Sequence, residues 1–323
     1  MKLPRRQFLH LAAGAAALPA LSGIADAQTY PNRPVRMIVG FGPGGPLDIW
    51  ARLIGQSLSE RLGQPFIVEN RPGAGTNIAT EAVVRAPPDG YTLLLIGSVN
   101  CYNAALYEKL NFNFIRDIAP VASIERSWNV MEVHPLFPAK TLRDFIAYAK
   151  SNPGKINMAA VPGGSTHLYG ELFKSLAGVD LVNVYYREPV PALTDLIAGQ
   201  VDVIFDNLAS SIEHIRAGKL HPLAVTSATR QVALSDVPTV GEFVPGYEAS
   251  GWAGIGAPKT TPVEIIDRLN KETNAALSNP KMKSRIAELG ATVFVNSPTG
   301  LSKLIADDTD RWAKVIRTSN IKS

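Results

Sequence analysis

The chain has 323 residues, of which 46% are hydrophobic and 19% charged, enough apolar material for two domains and too little charge for disorder. Its 32 basic and 28 acidic residues nearly balance at a formal +4; with no strongly basic run and no Cys/His zinc spacing, a nucleic-acid role has no support. One cysteine, Cys101, excludes an intrachain disulfide and any iron–sulfur cluster held by this chain alone.

Residues 1–27 read as an export signal. Arg5-Arg6-Gln7-Phe8-Leu9 is a twin-arginine pattern, an apolar run follows from Leu11 to Ala20, and Ala25-Asp26-Ala27 offers small residues for cleavage. The apolar run is about half the length needed to cross a bilayer. Its removal leaves 29 basic and 27 acidic residues, a net +2, and no lipobox cysteine is present. The expected location is the periplasm.

The remaining chain alternates β-branched runs with amphipathic stretches, the mark of an α/β fold. Val35–Val39 reads as a buried strand, and Ile49, Trp50, Leu53, Ile54, Leu58 and Leu62 mark one helix face. Phe66–Val68 is a second strand, Thr76–Ala86 a helix, and Tyr91–Ile96 a third strand after the Pro87-Pro88-Asp89-Gly90 turn. Helical spacing recurs in Thr141–Ser151 and after Ser165, while Val201–Phe205 and Leu223–Thr226 are strand-like. Thr261-Pro262-Val263-Glu264 reads as a capping box with proline at the first helical position, and Gly290 fits the end of the next helix. Without a repeat or a long linker, the two domains are expected to share crossing strands. That places residues 28–124 with 250–323 in one lobe and 125–249 in the other.

Three loops are able to carry chemistry. Gly42-Pro43-Gly44-Gly45-Pro46-Leu47-Asp48 joins a strand to a helix and exposes N–H groups at the positive end of a helix dipole, which favours a carboxylate or phosphate. It is neither a P-loop nor a dinucleotide glycine motif. A plain strand-to-helix turn explains the same residues. In Gly163-Gly164-Ser165-Thr166-His167, Ser165 or Thr166 either caps the helix or binds a ligand oxygen. A Ser–His catalytic pair is the competing reading. Residues two apart at a helix start seldom align for proton transfer, and no Gly-x-Ser-x-Gly elbow surrounds Ser165. His167 then serves packing. The third loop, Tyr186-Arg187-Glu188-Pro189-Val190-Pro191, ends a strand; like Asp206-Asn207 it is either a solvated rim or part of a site at strand C-termini.

These motifs resemble the Bug proteins, periplasmic solute-binding components of tripartite tricarboxylate transporters. The likeness rests on Val39-Gly40-Phe41-Gly42-Pro43-Gly44-Gly45 with Asp48, Glu69-Asn70-Arg71-Pro72-Gly73-Ala74-Gly75, and Pro88-Asp89-Gly90-Tyr91-Thr92-Leu93. It continues through Ser165-Thr166-His167-Leu168, Pro191-Ala192-Leu193-Thr194-Asp195-Leu196, Phe205-Asp206-Asn207 and Asp236-Val237-Pro238-Thr239, in order along the chain. The resemblance implies a two-lobed periplasmic-binding-protein fold of type II, each lobe a sheet flanked by helices, with a small carboxylate-type ligand, or a related amide or aromatic one, enclosed between the lobes. It implies delivery to a permease of one large and one small membrane subunit, with no cofactor, no metal and no catalysis; a monomer is expected. A sensory receptor docking on a periplasmic sensor-kinase domain is the alternative of another class.

Carried over by position, Gly42 to Asp48 with Ser98 and Asn103 are expected to form the wall of the first lobe. Gly163 to His167, Tyr186 to Glu188, and Asp206-Asn207 are expected to form that of the second. The chain departs from the family pattern where Pro46 and Leu47 replace a small residue and a hydroxyl residue, and where Tyr186-Arg187-Glu188 replaces Tyr-Lys-Gly. Val161-Pro162 stands where Gly-Asn is common. These changes point to a more apolar site with an acid, Glu188, facing the cleft, Arg187 as its counter-charge, and a preference for one ligand carboxylate over two.

Overall fold

The computed structural model describes residues 30–107, 109–318 and 321; the export signal and cleavage site expected in residues 1–27 lie outside them. β1 (Val35–Val39) leads through the glycine loop into α1 (Pro46–Leu62) and back to β2 (Phe66–Asn70), parallel to β1. Pro46 suits the first helical position because the N–H it lacks has no partner inside a helix. Gly63 stops α1 in the left-handed conformation at φ 70°. Leu47, Trp50, Ala51, Ile54 and Leu58 recur every three or four residues and bury one face of α1. Each such large side chain contributes roughly 1.5–3 kcal/mol through removal from water.

α2 (Asn77–Val84), β3 (Thr92–Gly97), α3 (Ser98–Leu106), the short α4 (Phe114–Asp117) and β4 (Ile118–Ser127) follow. The chain then enters a second sheet with β5 (Asn129–Val133), α5 (Leu142–Ser151), β6 (Asn157–Ala160), α6 (Ser165–Ala177), β7 (Val182–Tyr185), α7 (Pro189–Ile197), β8 (Val203–Asn207), α8 (Leu208–Arg216) and β9 (His221–Val225). It returns to the first sheet through β10 (Gly251–Pro258), α9 (Val263–Ser278), α10 (Pro280–Glu288), β11 (Thr292–Val293) and α11 (Pro298–Thr318). The first sheet has the order β11-β4-β10-β3-β1-β2 and the second β7-β6-β8-β5-β9.

Two stretches connect the sheets. Only Trp128 separates β4 from β5, and the return runs from Thr226 to Ser250. The two stretches are stitched together: Asn129 N–H donates to Thr226 Oγ1, Thr226 N–H to the Asn129 carbonyl, and Ala249 N–H to the Thr226 carbonyl, each at 2.9 Å. β1, β3, β6 and β8 all end at this middle level, where glycine loops or helix starts take over.

Several boundaries differ from those the sequence suggests. The strand expected at Val201–Phe205 starts at Val203 and runs to Asn207, so Asp206 and Asn207 are strand residues held in register against Val130 and Asn129. The capping box expected at Thr261 does not form: Pro262 itself is the N-cap, and the buried Thr261 hydroxyl has no partner. Helix α2 begins at Asn77, because Thr76 takes φ 77° with its side chain packed over Gly40, where an added Cβ would come within 2.4 Å.

Candidate functional site

A cavity lies between the two sheets where the strand ends meet. From the first sheet and its helices, Phe41, Pro46, Leu47, Trp50, Gly97, Ser98, Tyr102, Glu125, Ser127 and Trp252 line it. From the second, Asn129, Val161, Gly164, Ser165, Thr166, Tyr169, Pro189, Asp206 and Asn207 complete the wall. Five helices therefore begin on it: α1, α3, α6, α7 and α8. The first turn of a helix presents N–H groups without intrahelical partners and carries the positive end of the dipole, so this wall favours a carboxylate.

These five starts are not equivalent. Glycine caps α1, α3 and α6 (Gly45, Gly97 and Gly164), so no cap side chain competes for the first-turn N–H groups. Pro46 and Pro189 each remove a donor from α1 and α7. Asn207 closes α8 with its own side chain, Oδ1 accepting the Ala209 N–H at 3.0 Å. That leaves α3 and α6 with the most free donors. At α6 the side chains add to them. Ser165 Oγ accepts from Asn129 Nδ2 at 3.1 Å and Thr166 Oγ1 from the Val161 N–H at 2.9 Å, so each hydroxyl keeps its hydrogen to donate.

The residues singled out from the sequence divide into four groups. Pro46, Leu47, Ser98, Gly164, Ser165, Thr166, Asp206 and Asn207 line the cavity. Tyr186, Arg187 and Glu188 line a second hollow at the lip with Gly40, Phe41 and Pro72 to Thr76. Gly42, Pro43, Gly44, Gly45, Asp48, Gly163 and His167 line neither, and Asn103 lines a separate hollow with Asn77 and Asn100.

Asp48 holds the glycine loop in shape. Its Oδ2 accepts from the Gly44 N–H at 2.9 Å and from Arg52 Nε at 2.8 Å, and its Oδ1 from Asn70 Nδ2 at 2.9 Å. Burial pushes this carboxyl up, but the bonds from Arg52, Gly44 and Asn70 together outweigh it and hold the carboxyl below its usual range. His167 is buried, edge-on to Tyr185 at 5.5 Å between ring centroids, and burial depresses its basicity. Ser165 takes its hydrogen bond from Asn129 and none from His167. Asn103 donates to the Gly75 carbonyl and to Asn77 Oδ1.

Glu188 reaches across to the opposite loop. Its Oε2 accepts the Gly42 N–H at 2.8 Å, the kind of donor a bound carboxylate would use. Burial raises its proton affinity and the Gly42 bond holds it back. Arg187 is exposed and forms no ion pair with Glu188, so the expected counter-charge is absent there.

Sequence reasoning missed Glu125. It is 1% exposed, lines the cavity from β4, and is pushed up to about 8 by burial, with the Ser127 hydroxyl at 3.3 Å the one group holding it down. Behind the Asp206 wall, the Ser211 hydroxyl reaches both Glu132 Oε1 and Asp206 Oδ2. One hydroxyl hydrogen cannot serve two carboxylates. Burial accordingly lifts Asp206 to about 7 and Glu132 well above its ordinary range. Among the described residues no three His, Cys, Asp or Glu side chains are placed to hold a metal ion, and no helix is long and apolar enough to cross a membrane.

Two α/β lobes joined by a pair of crossing segments, with helix N-termini converging on the cavity between them, define a two-lobed solute-binding protein. The comparisons with known proteins name the family. Residues 50–321 match the receptor family of tripartite tricarboxylate transporters (TctC), and the chain belongs to it. It is similar to the protein BugT of Bordetella pertussis, at 36% identity over 310 residues that cover 94% of this chain and 95% of BugT. Among solved structures, it is similar to Rpa4515 of R. palustris with adipate, with a TM-score of 0.88 and 36% identity over 91% of this chain and 99% of that one. MatC of Rhodopseudomonas palustris with bound malate gives a TM-score of 0.84 and 32% identity over 89% and 100%.

Proposed function

We propose that this chain is a non-catalytic periplasmic receptor that captures a small organic acid between its lobes and passes it to a tripartite tricarboxylate-type permease. The lobes are taken as residues 28–127 with 250–323, and 128–249; the division read from the sequence at 124/125 falls inside β4, which keeps Glu125 to Ser127 in the first sheet. The observation that carries the reading is the convergence of glycine-capped helix starts from both sheets on one cavity, a built anion site. The adipate and malate bound by Rpa4515 and MatC support a carboxylate ligand. The ligand carboxylate is assigned to α3 and α6, where Ser98, Val99, Ser165 and Thr166 keep their N–H donors while Gly97 and Gly164 already give theirs to Asn100 Oδ1 and the Val161 carbonyl, because Glu188 already occupies Gly42 and prolines open α1 and α7.

Thermal-shift screening against mono- and dicarboxylates tests this. A ligand at one hundred times its dissociation constant adds roughly 2.7 kcal/mol of stability, a readable shift. Solution scattering on the same ligand should show the radius of gyration fall as the lobes close. Identical scattering profiles at saturation would count against enclosure between lobes, and a screen in which no organic acid shifts the melting point would sink the assignment of ligand class.

A further inference from the structure

Given the reading above of the cleft as an organic-acid site, we propose that Glu125 selects the ligand, pairing with an ammonium group on an acid whose carboxylate rests on the helix starts. The preferred ligand is then a zwitterion and not a diacid.

The placement begins in the strand. The β4–β10 register slips between Ala253 and Gly254, so that Glu125 pairs with Ala253 while Ser123 pairs with Gly254, and Ile124 is the extra residue. Such a bulge re-aims the side chains that follow it. Glu125 and Ser127, two apart on one face, both line the cavity, whereas Arg126 turns away to Ser250 and the Phe294 ring.

One oxygen of Glu125 is spoken for and the other is not. Oε1 accepts the Ser127 hydroxyl at 3.3 Å, and Ser127 Oγ in turn accepts from Asn207 Nδ2 at 3.1 Å. Oε2 is buried without a partner. Among the described residues no lysine, arginine or histidine lines this cavity, so none of them supplies a cation to it. A buried carboxyl left unpaired is costly, and the cost is recovered when a ligand brings the missing charge. Trp50, Tyr102, Tyr169 and Trp252 line the same cavity, and aromatic rings are favourable neighbours for a cation. A second ligand carboxylate would instead meet Glu125 and Asp206 in a space without counter-charge.

Protonation gives the proposal a second reading-out. With its affinity raised by burial, Glu125 holds a proton at neutral pH in the empty cavity, and pairing with an ammonium group displaces it. The other ionisable groups around it are Tyr102, Tyr169 and Asp206 on the wall, Arg126 beside it on β4, and Asp308 and Arg311 behind Tyr169. The alternative is a neutral Glu125 that donates its own hydrogen to a ligand carboxylate, and it keeps the proton.

The test uses two matched probe series that differ at one end: 6-aminohexanoate, hexanoate and adipate, and 4-(aminomethyl)benzoate, 4-methylbenzoate and terephthalate. Titration calorimetry on the whole protein, Glu125→Gln and Glu125→Ala, in two buffers of different ionisation enthalpy, reads affinity and proton release together. The expected result is that one zwitterion binds at least about tenfold tighter than its methyl-ended partner. Proton release should accompany it, and both variants should lose the advantage and the release while still binding the methyl-ended acid. Tightest binding of a diacid, an advantage that survives in the variants, or carboxylate binding without proton release that Glu125→Gln retains would each overturn the assignment. If no probe of either series binds, the organic-acid cleft itself falls, and Glu125's role with it.

Discussion

Replacing Glu125 by glutamine should stabilise the empty protein more and more as the pH rises. In the unfolded chain this carboxyl ionises near its ordinary value of 4.5; in the folded protein it holds its proton up to about 8. Well below pH 4.5 both states are protonated and the group adds no pH-dependent cost. Between 4.5 and 8 the unfolded state sheds a proton that the folded state retains, so stability falls with pH, and above 8 the loss is complete. A shift of that size corresponds to a loss on the order of 5 kcal/mol, of which about 3 kcal/mol is already incurred at pH 7. Glutamine has the same shape and cannot ionise. Asp206 and Glu132 shift in the same direction but are present in both proteins, so they cancel in the difference to first order. Urea unfolding of both proteins at pH 5, 7 and 9 gives that difference directly. A difference constant to within about 1 kcal/mol across this range would refute the reasoning, because it would mean that water reaches the Glu125 carboxylate when the cavity is empty.

The lip contact should be separable from the cavity: Glu188→Gly removes the bond to the Gly42 N–H, and the unliganded variant should show a larger radius of gyration than the wild type in solution scattering. An unchanged radius would show that this bond does not hold the lobes together. Asp48→Ala strips an acceptor from Gly44, Arg52 and Asn70 at once and should cost about 2 kcal/mol in denaturant unfolding, with less than 0.5 kcal/mol, roughly, counting against its role in shaping the loop. Cys101 is fully buried and its thiol is pushed far up by burial, so a thiol reagent should label it only in the unfolded protein; rapid labelling of the native protein would contradict its placement.

Where local pattern and tertiary role agreed, the sequence was readable. The glycine loop before α1, the βαβ alternation, and the helix after Ser165 were all visible because spacing and cap residues point the same way. β4, β5 and β10 were not. Ser123, Glu125 and Ser127 are polar yet buried, so the run Ile118–Ser127 lacks the alternation of a half-exposed strand. In β10, glycines lower the strand propensity for a reason only packing reveals. An added Cβ at Gly254 would stand 2.7 Å from the Ala122 carbonyl oxygen, and one at Gly256 2.7 Å from Ile118 Cγ2. Asn129, which ties Ser165 to the Phe205 carbonyl, lies at the crossing itself and carries no local signal.

The two acids show what a linear reading misses. Glu188 attracts notice because it replaces a family glycine, and an acid in that loop suggests repulsion inside the cleft. In the fold it sits at the lip and satisfies Gly42, taking one anion-binding N–H away from any ligand. Glu125, between Ile124 and Arg126, reads in sequence as one more solvated charge, yet the bulge and the crossing into β5 bury it on the cavity wall. On the proposed reading both acids act against a second ligand carboxylate, by different physics. Glu188 does so by occupying a donor, and Glu125 by leaving an acceptor without one. On the proposed reading α3 and α6, which keep the most free donors, hold a ligand's negative end, and Glu125 selects what the rest of the ligand carries.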